Sequence, residues 1–227
     1  MSANSIPQVE GAGAAQRSAS FDPAFRARLR ELLIWRRDVR RFRRDPLPIG
    51  TLEALIELAC LAPSVGLSQP WRFVKVQSPE RRRAVWESFA KANERALAGY
   101  EGEQKATYMT LKLAGMKEAP IHLAVFSDDS TATGSGLGRQ TMPETLHYSV
   151  VAAVQTMWLA ARAEGLGMGW VSILDPAEVT RVLDVPEGWT LVAYLDLGWP
   201  AEEHIDPELE RHHWEQRHYT GDLVFTR

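Results

Sequence analysis

Apolar residues recur along this chain with two periods, and the switches between them mark out its elements. Asp22-Pro23 reads as an N-cap followed by proline at the first helical position, and Phe25, Leu29, Leu32 and Leu33 then return at helical spacing. After the break at Pro46-Leu47-Pro48, Thr51 opens a second helix with Leu52, Leu55, Ile56 and Ala59 on one stripe. It stops at Ala62-Pro63-Ser64-Val65-Gly66, because a residue before proline is pushed out of the helical region and glycine permits the turn. A β-rich run from Phe73 to Val76 follows. Ser78-Pro79 then caps a charged third helix running towards Tyr100, and Gln104 to Gly115 reads as a fourth.

The second half is more apolar. Ile121 to Phe126 is apolar at nearly every position, which predicts a strand covered on both faces. A polar loop from Asp128 to Gly138 leads to the longest helical signal, about Pro143 to Glu164. It is apolar on more than one face, as a central helix is, and Gly165 ends it. Trp170 to Ile173 is a short strand, Asp175-Pro176 caps a brief helix to about Leu183, and Thr190 to Leu195 is a last core strand. The tail is polar but carries Trp214, Leu223, Val224 and Phe225, which need a surface to cover; in a protein of this size that surface is often a second subunit.

With 227 residues, 45% of them hydrophobic, the chain can bury a full core. The pattern divides it into a disordered N-terminal tail over 1–20, a folded domain over 21–200 and an extension over 201–227. The first twenty residues lack the continuous apolar core of a signal peptide, and no apolar run is long enough to span a bilayer. A soluble cytoplasmic protein, with no membrane association, is expected. A net charge of -3 argues against a dedicated nucleic-acid binder. The single cysteine, Cys60, allows no internal disulfide and reads as an inert thiol on an apolar helix face.

Candidate chemistry concentrates in Arg36-Arg37-Asp38-Val39-Arg40. Arginine forks match phosphate oxygens, so three in five residues can clamp a phosphate monoester. The same run, continuing as Arg41-Phe42-Arg43-Arg44, can equally be a solvated helix end or a patch for backbone phosphates. Asp38 is the odd member, either neutralising surplus charge or acting on whatever the clamp holds. Gly165-Leu166-Gly167-Met168-Gly169 follows a helix and precedes a strand, the reverse of a dinucleotide fingerprint. It reads either as backbone that approaches a flat ligand or as a helix cap and turn. His204, His212 and His213 lie among glutamates without zinc-site spacing, so no metal is expected.

Three motifs in order, Arg36-Arg37-x-x-Arg40, Ala62-Pro63-Ser64-Val65-Gly66-x-x-Gln69-Pro70-Trp71 and Gly165-Leu166-Gly167-Met168-Gly169-Trp170-Val171-Ser172, resemble the nitroreductase-like flavoproteins. The likeness runs from about Leu33 to Phe225. It implies an α+β fold with a central mixed β-sheet flanked by helices, FMN bound by the 21–200 domain, and an intertwined homodimer whose 201–227 extension embraces the partner subunit. Asp38 stands where ordinary nitroreductases usually have serine, and Val65 where an asparagine usually follows the Pro-Ser turn. With Leu111-Lys112-Leu113-x-Gly115 and Leu137-Gly138-Arg139, these departures resemble the BluB branch, whose members consume reduced FMN with molecular oxygen to make 5,6-dimethylbenzimidazole, the lower ligand of vitamin B12.

The resemblance carries roles onto particular residues. Arg36, Arg37 and Arg40, with Arg217 of the tail, would hold the phosphate and ribityl chain, alongside Asp38 and Val39 of the same segment. Pro63, Ser64 and Gly66 would line the ring, and Gly167 and Gly169 would let amides reach its polar edge. Asp38 would be the acid/base and Ser172 an orienting hydrogen-bond partner. The segment 92–115, with Tyr108, Leu111 and Lys112, is either a lid or an ordinary surface helix. Reduced FMN would come from a separate flavin reductase. The competing expectations are an NAD(P)H-dependent nitroreductase or flavin reductase that recycles its FMN, and a flavin carrier without turnover.

Overall fold

A computed structural model describes residues 20–218 and 220–227. The tail expected over 1–20 therefore lies, but for Ser20, outside the described residues. Strands β1 (Trp71–Lys75), β2 (Ile121–Asp128), β3 (Gly167–Val171) and β4 (Trp189–Gly198) form one sheet in the order β1-β2-β4-β3. All neighbouring strands are antiparallel, so the parallel part of the expected mixed sheet is reduced, among the described residues, to one isolated bridge between Asp38 and Met168.

Side chains alternate across a strand, and this sheet buries both faces. On one face Leu123, Val125, Ala193, Leu195 and Leu197 pack against α2 (Thr51–Ala59) and α5 (Thr145–Ala163). On the other, Ala124, Phe126 and Tyr194 meet Val85 of α3 (Pro79–Ala98) and Val179 and Leu183 of α6 (Pro176–Leu183). In α5, Val150, Ala153, Val154, Met157 and Ala161 are wholly buried, as expected of a central helix.

The first helix, α1 (Pro23–Trp35), starts as its sequence dictates: the Asp22 carboxylate accepts from the Phe25 N–H at 2.7 Å, and Pro23 occupies the first turn. Its apolar stripe finds no core. No residue of α1 is buried, and Phe25, Leu29, Leu33 and Ile34 are exposed. The helix ends at Arg36, whose backbone is already extended (φ -68°, ψ 113°), so the arginine run is not a helix end. It continues as an extended edge: Val39 N–H donates to the Met168 carbonyl at 3.0 Å, Phe42 pairs with Pro200, and Arg43 N–H donates to the Trp199 carbonyl at 2.9 Å.

Two other elements differ from their sequence pattern. The fourth helix, α4 (Gly102–Thr110), stops short of Gly115 because Leu111 turns to extended backbone, and an irregular segment reaches Ala119. Strand β3 begins at Gly167, so two glycines of the run lie inside a strand, and Ser172 falls just past its end. The tail holds a short helix, α7 (Glu208–Arg211), and packs Trp214 edge-on against Tyr100 at 5.3 Å, whereas Leu223, Val224 and Phe225 are exposed.

Candidate functional site

Asp38 sits where the extended arginine segment meets β3, and both carboxylate oxygens are engaged. Oδ2 accepts from Arg40 Nε at 2.7 Å and Oδ1 from the Trp170 N–H at 2.9 Å, with the side chain 31% exposed. The bridge to Met168 fixes its backbone, and Ser172 follows the last residue of β3, two residues beyond the Trp170 amide that Asp38 accepts from. Glycine is what allows this approach. A Cβ on Gly169 would stand 2.2 Å from the Val39 carbonyl oxygen, and one on Gly167 2.9 Å from the Val39 methyls. The close contact inferred for this run is thus made in part by the chain's own Val39.

The arginines divide into two groups. Arg40 and Arg41 are matched by acids: Arg40 by Asp38, with Glu208 at 3.9 Å, and Arg41 by Glu208 at 2.8 Å and Glu202 at 3.0 Å. Arg36, Arg37 and Arg217 are near enough for their charges to interact, with Asp38 offsetting this at Arg36, Asp206 and Glu210 at Arg37, and Arg217 pairing with Glu210 at 3.7 Å. Burial pulls the guanidiniums of Arg36 and Arg37 below their ordinary pKa, and the charge of Arg217 adds to this in both, with Arg36 acting on Arg37 as well. Arg36 also lies over the Trp158 ring at 4.9 Å, and Arg37 uses part of its fork to hold the Ile205 and Arg36 carbonyls.

The turn after α2 is fixed from two sides. Ser64 Oγ accepts from the Gln69 N–H at 3.1 Å, Val65 N–H donates to Ser149 Oγ of α5 at 3.0 Å, and Gly66 (φ +56°) sits against the carbonyls of Gly134 and Leu137. Pro63 is exposed beside them. In the 92–115 segment the three expected contacts separate. Tyr108 is buried, bonded to Asn93 at 2.7 Å and stacked near Tyr100 and Trp214, so its ring belongs to the packing of the tail. Leu111 and Lys112 are half-buried, and the Lys112 carbonyl accepts from Arg40 Nη1 at 3.2 Å, which places these two beside the arginine segment.

Sequence reading missed a buried polar cluster beneath the site. His122 and Asp196 lie opposite each other in register on β2 and β4; His122 Nδ1 bonds the Tyr194 hydroxyl at 2.9 Å, and Asp196 Oδ2 accepts from the Gly115 N–H at 3.0 Å. A charged residue inside the apolar run Leu195-Asp196-Leu197 was the available signal. Glu208, buried against Arg40 and Arg41, had none, because its meaning depends on a contact about 170 residues away. His204 and His212 only approach Glu202 and Glu208 at 3.8 Å, and among the described residues no group of three or more metal-binding side chains gathers.

The cluster predicts an unusual acid profile. Burial, then the Arg82 charge, lowers the His122 pKa to about 4, whereas burial raises that of Asp196 to about 7. Between roughly pH 4 and 6.5 the unfolded chain takes up a proton at histidine that the native state refuses, so this residue alone makes stability rise with pH. Over roughly pH 4 to 7 the native state binds a proton at Asp196 that the unfolded chain has released, so the carboxyl makes stability fall. The opposing slopes largely cancel. In urea titrations across this range, His122→Gln is expected to expose a stability that falls as pH rises, and Asp196→Asn one that rises.

A nitroreductase family model matches residues 33–199. The chain belongs to the nitroreductase family. Within it, the chain is 56% identical to the 5,6-dimethylbenzimidazole synthase of Rhodospirillum rubrum, over 87% of this chain and 93% of that one. It is 46% identical to the 5,6-dimethylbenzimidazole synthase of Rhodobacter capsulatus, over 87% of this chain and 95% of that one. Among solved structures, an oxidized iodotyrosine deiodinase bound to FMN and 3-iodo-L-tyrosine superposes with a TM-score of 0.68 at 25% identity, covering 88% of this chain and 97% of that one.

Proposed function

We propose that this protein is a 5,6-dimethylbenzimidazole synthase, which fragments reduced FMN with molecular oxygen to give the lower ligand of cobalamin. The likeness to two enzymes of that name across nearly their whole length carries the reading. The arginine forks of Arg36, Arg37 and Arg217, whose charges interact, support binding of the FMN phosphate there, although Asp38, Asp206 and Glu210 offset part of that charge.

Reduced FMN, when bound, supplies the carbon skeleton and electrons, and oxygen the oxidising power. The chain's own work is to bind, orient and move protons. Arg36, Arg37 and Arg217 hold the phosphate; Arg40 and the Trp170 amide fix Asp38, whose remaining lone pairs accept a proton, so that it starts as the base. Ser172, exposed at the end of β3, supplies an orienting hydroxyl. Val39, Pro63, Ser64, Gly66, Leu111, Lys112, Gly167 and Gly169 line the flavin. A second copy of the chain covers the exposed faces of α1 and of Leu223 to Phe225, closing the site as a homodimer, and a separate flavin reductase supplies the reduced flavin.

Excess reduced FMN added to the purified protein in air tests the reading. Permanent loss of flavin absorbance with matching formation of 5,6-dimethylbenzimidazole is the expected result. Quantitative return of intact oxidised FMN would overturn it in favour of a reductase or carrier.

A further inference from the structure

Asp196 is wholly buried, yet only one of its carboxylate oxygens has a protein partner. Oδ2 takes the Gly115 N–H, and Oδ1 has none among the described residues. A half-satisfied buried carboxyl costs stability, so its presence in an apolar strand asks for a reason beyond packing.

The group it holds gives that reason. Gly115 lies in the irregular segment between α4 and β2, pressed against the start of the arginine edge: a Cβ there would stand 2.3 Å from the Phe42 ring and 3.2 Å from the Arg40 carbonyl oxygen. Three residues earlier, the Lys112 carbonyl accepts from Arg40 Nη1 at 3.2 Å. Arg40 Nε in turn binds Asp38 Oδ2 at 2.7 Å. A continuous path therefore runs from Asp196 through the Gly115 amide and the Lys112 carbonyl to Arg40 and Asp38.

We propose that Asp196 is a positioning residue for Asp38, gripping the Leu111–Met116 segment from β4 so that Arg40 presents the Asp38 carboxylate in one orientation. Its role in turnover rests on the synthase reading given above; its grip on Arg40 does not. Asp196 is also the member of the cluster whose charge changes near neutrality. Burial raises its pKa to about 7, the charges of Asp38 and Glu118 push the same way, and the Gly115 amide and Arg82 oppose them. The other groups facing it keep their charge there. His122 on β2 titrates at about 4, the Tyr194 hydroxyl on β4 is raised by burial, and Arg82 on α3, bonded to the Val76 and Pro120 carbonyls, stays protonated. Lys112 pairs with Glu118 at 3.0 Å on the same segment.

Two readouts test this. In the protein without flavin, the Gly115 N–H and Arg40 Nε–H resonances, the latter assigned with Arg40→Lys, should shift together with a midpoint near pH 7 and stay flat in Asp196→Asn. A Gly115 shift that Arg40 does not follow, or the same shifts persisting in Asp196→Asn, overturns the proposal. With reduced FMN in air, Asp196→Asn keeps an acceptor for the amide and should make benzimidazole without the inflection near pH 7. At saturating reduced FMN, Asp196→Ala should raise the ratio of oxidised FMN returned to benzimidazole formed by roughly tenfold or more, since a small misplacement of a reacting group is costly. A parental product fraction in Asp196→Ala overturns the proposal. Coupled resonances in a protein that makes no benzimidazole would sink the synthase reading and still support the grip on Arg40.

Discussion

Asp38→Asn is expected to cut benzimidazole formation by about 10²-fold or more, the usual contribution of a positioned acid or base, while FMN affinity changes by no more than a few fold. The substitution keeps the shape of the side chain and removes its charge. An asparagine can serve only one of the two donors that Asp38 now accepts. With its oxygen on the Trp170 amide, its NH₂ confronts Arg40 Nε, and the flipped rotamer reverses the conflict. Losing one of these bonds costs about 1–3 kcal/mol, so a lower melting temperature accompanies the loss of activity. Stability and chemistry separate by titrating FMN fluorescence and by running the reaction well below the melting transition. There the variant should bind flavin, let it reoxidise and release it intact. Full product yield from a variant that still holds FMN would remove Asp38 from the chemistry.

How much of this was legible in the sequence depends on the range of the interaction behind each feature. Helix starts were clear because their causes are local: Asp22, Ser78 and Asp175 each precede a proline and each accepts a hydrogen bond from an amide of the first turn. The central helix and the buried strands were clear because periodicity reports burial directly. Element ends were less so. Leu111 leaves the helix because its segment is pinned by Arg40 and Asp196, contacts that no local pattern encodes. The spacing in α1 announced the helix, but periodicity did not say that none of its residues would be buried.

The site followed the same rule. Arg36-Arg37-Asp38-Val39-Arg40 is contiguous and therefore visible, but that Arg40 and Arg41 are matched by acids was decided by Glu202 and Glu208, far along the chain. The glycine run announced a close approach without naming the other party. Tyr108, read as belonging either to a lid or to a surface helix, packs its ring near Tyr100 and Trp214, neighbours that its local sequence does not announce. Asp196 was passed over because the last strand was ended at Leu195, whereas β4 runs on to Gly198 and carries the acid into the core.

The glycine run gives the second large effect. Gly169→Ala would place a methyl 2.2 Å from the Val39 carbonyl oxygen, a contact with backbone that no rotamer change can relieve. Either β3 or the Asp38–Arg40 edge must move, and the bond from Val39 N–H to the Met168 carbonyl and that from the Trp170 N–H to Asp38 lie on the line of separation. Overpacking of this kind costs about 3 kcal/mol, which for a chain of this size is a fall of roughly 6–12 °C in melting temperature. Benzimidazole formation should fail in the same variant even at temperatures where it is folded, because the displaced edge carries Asp38. Gly99→Ala is the control. Gly99 closes α3 with φ -82°, and a methyl there meets nothing nearer than the Ala96 carbonyl oxygen at 3.4 Å. Its stability should change by no more than about 0.5 kcal/mol. The comparison is made without flavin, and that choice decides between two origins of the glycine. If Gly169 were required only so that a flat ligand could approach, the flavin-free variant would melt like the parent and lose FMN affinity alone. If it is required by Val39, the flavin-free protein itself must be destabilised.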